Sequence, residues 1–180
     1  MKIKILFVVI VIMSTFSITA TAQTKGIATT NDAYAKLIVP MSVKQNKIFN
    51  FGTITLTDKS GGTVTIASVL VDRSFSGGVA ASAVGDPALN GGYDVTGTIN
   101  STYTLTLPET ITVTETIGKS ATMSIGTLKA RFKGANSDAL SSTLSGTGTD
   151  DFTVGGILTI GNNQIGGIYK GTYTLSVDYN

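Results

Sequence analysis

The chain is predicted to be all-β, an antiparallel two-sheet sandwich, on three observations. Its final stretch, residues 168–180, alternates without a break. Tyr169, Gly171, Tyr173, Leu175, Val177 and Tyr179 fall on one face, and Ile168, Lys170, Thr172, Thr174, Ser176, Asp178 and Asn180 on the other, which is polar apart from Ile168. Side chains of a strand alternate faces, so this is the period of an antiparallel strand with one face buried. Thr, Val, Ile, Ser and Gly dominate the rest, and the glycines fall in clusters between apolar runs. That is the composition of short strands joined by turns. Beyond residue 22 no stretch sustains a 3.6-residue apolar period, the mark of an amphipathic helix.

Residues 1–22 read as a secretory signal peptide: Lys2 and Lys4, an apolar run over 5–13, and Ala20-Thr21-Ala22 before Gln23. The run is too short to span a bilayer, which needs about 20 apolar residues. With no cysteine in the chain a lipid anchor on a thiol is excluded. The expected mature chain therefore carries no membrane span. Lys2 and Lys4 are two of the 13 basic residues, so their removal leaves 11 basic against 11 acidic groups and no net charge. Nothing in that balance points to nucleic acid. An exported chain without disulfides must be held by packing.

Residues 23–31 have no pattern. Over 33–43 every odd position is apolar: Ala33, Ala35, Leu37, Val39, Met41 and Val43. A strand is expected there, interrupted at Pro40, which cannot donate to a ladder. Residues 49–57 form the next expected strand, 58–62 a turn, and 63–71 a strand that becomes continuously apolar. Residues 76–92 read as a glycine-rich loop with a short strand near Val79. Strands are expected over 93–98, 102–107, 110–114 and 121–132, then a polar loop over 134–150. Residues 152–161 are a strand with a bulge at Gly155-Gly156. This organises the chain as a signal at 1–22, an N-terminal extension at 23–40 and a β-sandwich domain at 41–180. An outer-membrane barrel is disfavoured by the absence of tryptophan and the uneven loops.

Chemistry is sparse. The chain has no histidine and no cysteine, which removes the commonest general base, the usual zinc ligands and the thiol nucleophile. Asp150-Asp151 is the only adjacent carboxylate pair and reads as a solvated loop end rather than a cation site. Gly118-Lys119-Ser120 resembles the end of a phosphate loop, but position 113, where its first glycine belongs, is Val113. No catalytic, metal or cofactor-binding residue is predicted, and the chain is not expected to be an enzyme.

Six segments carry a resemblance. They are Phe51-Gly52-Thr53-Ile54, Gly61-Gly62-Thr63-Val64-Thr65, Val95-Thr96-Gly97, Thr104-Leu105-Thr106-Leu107-Pro108, Val154-Gly155-Gly156-Ile157-Leu158 and Gly167-Ile168-Tyr169-Lys170-Gly171-Thr172-Tyr173. Together they resemble the bacterial secreted family called domain-of-unknown-function 4402, which is similar to subunits of chaperone–usher fimbriae. Those subunits share a penultimate aromatic and a glycine fourteenth from the end, here Tyr179 and Gly167. The cysteine pair common among them is missing.

The resemblance implies an immunoglobulin-like, pilin-like fold completed by a neighbour's extension through strand addition. Ala33, Ala35, Leu37 and Val39 would be the donated face, with Pro40 as hinge. Gly167, Tyr169, Tyr173, Leu175, Val177 and Tyr179 would border the receiving groove. Implied partners are further copies of the chain in a fibre, a periplasmic chaperone and an outer-membrane usher, and the implied location is the periplasm in transit and then the cell surface. Two alternatives stay open: residues 33–39 fold back as an ordinary first strand, or the domain is a self-contained surface module for adhesion or glycan binding.

Overall fold

The structure, a computed structural model, describes residues 29–69, 71–118 and 120–180, so the expected signal peptide and residues 23–28 lie outside it. Residues 37–180 form one unit, and the described residues 29–36 belong to a second. The latter are exposed and in no strand. The described residues contain thirteen strands and no helix. The first half has β1 (Ser42–Lys47), β2 (Ile54–Leu56), β3 (Gly62–Ile66), β4 (Arg73–Gly77), β5 (Val79–Ala81) and β6 (Gly91–Thr96). Next come β7 (Thr102–Thr106), β8 (Ile111–Glu115), β9 (Thr122–Phe132) and β10 (Ser141–Thr143). The chain ends with β11 (Thr149–Ile160), β12 (Tyr169–Lys170) and β13 (Ser176–Tyr179). The strand pairings are antiparallel, as the alternating pattern predicts.

The strands make an eight-stranded sheet, β1-β6-β11-β9-β8-β12 with β3 on β11 and β4 on β3, together with the sheets β10-β7-β13 and β2-β5. β11 is the axis. One of its edges runs along β9; the other is shared, residues 149–154 pairing with β6 and 156–160 with β3. The change of partner falls at Gly155, where a Cβ would lie 2.4 Å from the Ile66 carbonyl oxygen. Any side chain there would push β3 away.

The predicted irregularity at Gly155-Gly156 is present, but the extra residue lies on β9. Gly155 to Ile157 faces Lys129 to Gly126, two steps against three. Thr127, at φ 50°, takes up the surplus. The sequence needs this. Apolar parity on β9 changes from Met123 and Ile125 to Ala130 and Phe132, and a bulge keeps both sets on one face.

That face carries two cores. Around the first half of β11, Tyr93, Val95, Ala130, Phe132, Phe152 and Val154 pack with Tyr103 and Leu105 of β7 and with Leu144. Tyr93 stacks on Phe152 at 5.0 Å between centroids, and Phe132 stands edge-on to Phe152 and Tyr103. Around the second half, Val64, Ile66, Ile111, Ile125, Leu158 and Ile160 pack with Phe51 and Val79.

Several boundaries differ from expectation. Residues 33–41 are not a strand; the first strand is the polar β1, held on β6 partly by Asn46 donating to Asp94 and Lys47 to Asn90. Of the expected strand over 49–57 only Ile54–Leu56 pairs as one. β3 stops at Ile66, and Val69 and Val71 are exposed rather than entering a core. β4 begins in residues left without an expectation and runs into the expected glycine-rich loop, and β10 lies within the expected polar loop. The closing stretch is two strands, not one: β12 pairs with β8 in the large sheet and β13 with β7 in the three-stranded sheet.

Candidate functional site

The second core is open on one side. A groove of about 580 Å³ runs over it, between residues 48–56 and residues 164–173. Its floor is part of an apolar row crossing five strands: Ile111 opposite Ile125, Ile125 opposite Leu158, Leu158 opposite Val64, Val64 opposite Phe75. Such opposed pairs are the stabilising unit of a sheet face.

One wall is pinned by Arg73 on β4, whose guanidinium donates to the carbonyls of Phe51 at 3.1 Å and Thr53 at 2.9 Å. The other is tied by Tyr169, which accepts from Gln164 Nε2 at 2.8 Å and donates to the Ile165 carbonyl at 2.6 Å, while Thr116 N–H donates to the Ile168 carbonyl. The rim is apolar and unusually bare. Ile48, Leu56, Ile165 and Ile168 line it with 38–63% of their surface exposed. Clustered exposed aliphatics of this kind mark interaction surfaces.

Tyr173 closes the groove toward the first core. It packs against both cores, and its hydroxyl is hydrogen-bonded to that of Tyr93. Burial holds both phenols above the usual tyrosine range, reinforced for Tyr93 by this bond. Gly171 sets the crossing from β12 toward β13. A Cβ there would lie 2.2 Å from the Thr112 carbonyl oxygen, so the chain passes β8 at a distance only glycine permits.

The predicted residues of the closing stretch therefore divide. Gly167, beside the Glu115 side chain, Tyr169 and Tyr173 line the groove, whereas Leu175, Val177 and Tyr179 pack half-buried on the first core. Of the predicted donor residues, Ala33 and Ala35 are exposed, Leu37 is 94% exposed, and Val39 marks where the extension meets the body. Val39 N–H donates to Thr98 Oγ1 at 2.7 Å, and its carbonyl accepts from the Tyr179 hydroxyl at 2.6 Å. Thr98 follows β6, next to the start of β11, where Gly97 N–H donates to the Gly148 carbonyl. From there to the groove floor at Leu158 is nine residues of strand, roughly 30 Å.

Asp150 and Asp151 do not form a solvated loop end. They lie in β11, where Asp150 accepts from Tyr103 at 2.9 Å and Ser142 at 2.6 Å, and Asp151 pairs with Lys133 at 3.2 Å. Among the described residues no cluster of His, Cys, Asp or Glu could hold a metal ion.

Sequence reasoning missed Ile48, Ile165 and Ile168. The available signal was large aliphatics next to turn residues, Ile168 being the one apolar side chain on the otherwise polar face of the closing stretch.

Comparison with known proteins places residues 41–179 in a match to the family described as Domain of unknown function (DUF4402). No curated protein matches the chain.

Proposed function

The chain belongs to the family of Domain of unknown function (DUF4402), and from that premise we propose that it is a structural subunit of a surface fibre, assembled by strand donation. The body is an immunoglobulin-like, two-sheet sandwich lacking one strand, and the groove is where a second copy supplies it. Residues 33–39 are the supplied strand, with Ala33, Ala35, Leu37 and Val39 as its apolar face. The chain is exported to the periplasm and then the cell surface, with a chaperone and an usher as transient partners. It has no enzymatic activity.

The observation carrying this reading is one apolar surplus opposite another: a bare-rimmed groove and a bare alternating extension in one chain. Chain reach favours donation between copies. Residues 33–38 span at most about 20 Å even when fully extended, short of the roughly 30 Å from Val39 to the groove floor.

A second reading has an observation of its own. Ile111, Ile125 and Leu158 are only 3–6% exposed without any added strand, as in a self-contained module using the groove for a ligand such as a glycan. Electron microscopy of the mature protein, with unheated gels, separates the two. Fibres and a ladder of multimers are expected, both abolished by deleting residues 23–38. A monomer at every concentration, with residues 33–39 protected from proteolysis, overturns the fibre reading.

A further inference from the structure

We infer that Tyr179, with Thr98 and Gly97, is a clamp fixing the direction in which the extension leaves the body; on the strand-donation reading above, the clamp makes the joint between successive subunits stiff. Both backbone groups of Val39 are held, its N–H by Thr98 Oγ1 and its carbonyl by the Tyr179 hydroxyl. That hydroxyl is itself fixed by the Thr98 backbone N–H at 2.6 Å. It reaches this position only because residue 97 is glycine, where a Cβ would lie 2.4 Å from it.

Downstream of Val39 there is no slack. Pro40 has a fixed φ, Met41 packs on the first core, and Ser42 already pairs with Thr96. Upstream, residues 29–38 are exposed and in no strand.

The core does not require this arrangement. Val39 is 56% exposed, and Met41 and β1 already hold the chain to the body. What the clamp adds is an orientation. With Ala33, Ala35 and Leu37 seated in a neighbour and Val39 as the last donated residue, its backbone held by its own body and its side chain still exposed, no free residue lies between donated strand and body, so the fibre bends little.

The chain has no cysteine, so one introduced thiol reports cleanly. Ile38→Cys carrying a nitroxide label, in otherwise wild-type protein, is compared with the same label in Tyr179→Phe, Thr98→Val and Thr98→Ser. Loss of a hydrogen bond shifts the ratio of held to released states about two- to tenfold. The mobile fraction of the label should rise by that factor in Tyr179→Phe and Thr98→Val. It should stay unchanged in Thr98→Ser, which keeps the hydroxyl, with the urea midpoint of Tyr179→Phe near that of the wild type. Fibres of Tyr179→Phe should have a shorter persistence length.

A label as mobile in the wild type as in Tyr179→Phe overturns the clamp. A released label with equally stiff fibres overturns its role in the joint. Absence of fibres from wild-type protein overturns the assembly reading and the stiffness claim together, while the label still decides the clamp.

Discussion

The two halves of β11 bury the same kind of side chain under different covers. Over residues 149–154 the large sheet is capped by β10-β7-β13, whose own strand pairing holds Tyr103 and Leu105 in place. Over residues 156–160 the cover is the edge of a turn-rich segment and a short β12, with four exposed aliphatics along the gap. Buried area alone does not tell these halves apart, because both floors are nearly inaccessible. They differ in what holds the lid: one three-stranded sheet over the first, and over the second two separate segments, held by the short pairings of β2 on β5 and β12 on β8 and by side-chain ties from Arg73, Gln164 and Tyr169. Hence the first half is the anchored one, and the second keeps an open, apolar-rimmed groove.

The sharpest way to break this comparison is to empty the anchored half. Phe152→Ala removes the ring between Tyr93 and Phe132 and should cost about 3–5 kcal/mol, read as a fall in the urea midpoint. Leu175→Asp comes next. It puts a charge on the half-buried side facing the first core and should cost at least about 2 kcal/mol, whereas exposed Thr174→Asp stays within about 0.5 kcal/mol. Equal losses at 174 and 175 would contradict the assigned facing. Gly171→Val should cost about 1–3 kcal/mol by forcing the crossing away from Thr112, with amide shifts concentrated in β8 and β12.

Alkaline pH probes the same asymmetry. Burial, then the bond to Asp150, holds the Tyr103 phenol above its ordinary value of 10.0, and burial also raises Tyr93 and Tyr173. The unfolded chain releases these protons first. Stability is therefore intact below pH 10.0 and is lost as pH rises toward the native values. Circular dichroism against pH should show that loss reduced in Tyr103→Phe. The smallest stability effect belongs to the rim. Ile168→Ser should change unfolding by less than about 0.5 kcal/mol yet weaken uptake of a strand peptide, measured by fluorescence anisotropy.

Much of this architecture was legible. Strands β6, β7, β8, β9 and β11 announce themselves because one face of each is buried, so polarity alternates along them. β1 and β10 do not, since Ser42–Lys47 and Ser141–Thr143 hold their places by backbone pairing at or near sheet edges. The break in the closing stretch was invisible for another reason. Residues 173–179 keep alternating while the pairing partner changes from β8 to β7, and pattern reports facing, not partners. The groove is harder still. It joins residues near 50, 111, 125, 158 and 168, and no local window contains it. By contrast the extension's alternation stood in plain view, although its strand was misplaced by pairing that begins only at Ser42.

The most direct test of the difference between the halves is a titration. A labelled body lacking residues 23–38 is mixed with a synthetic peptide spanning residues 33–39, and backbone amide shifts are followed by NMR. The account predicts saturable shifts at Ile111, Ile125, Ile165 and Ile168, with Val95 and Tyr103 unmoved. No binding, or shifts spread equally over both cores, would contradict it.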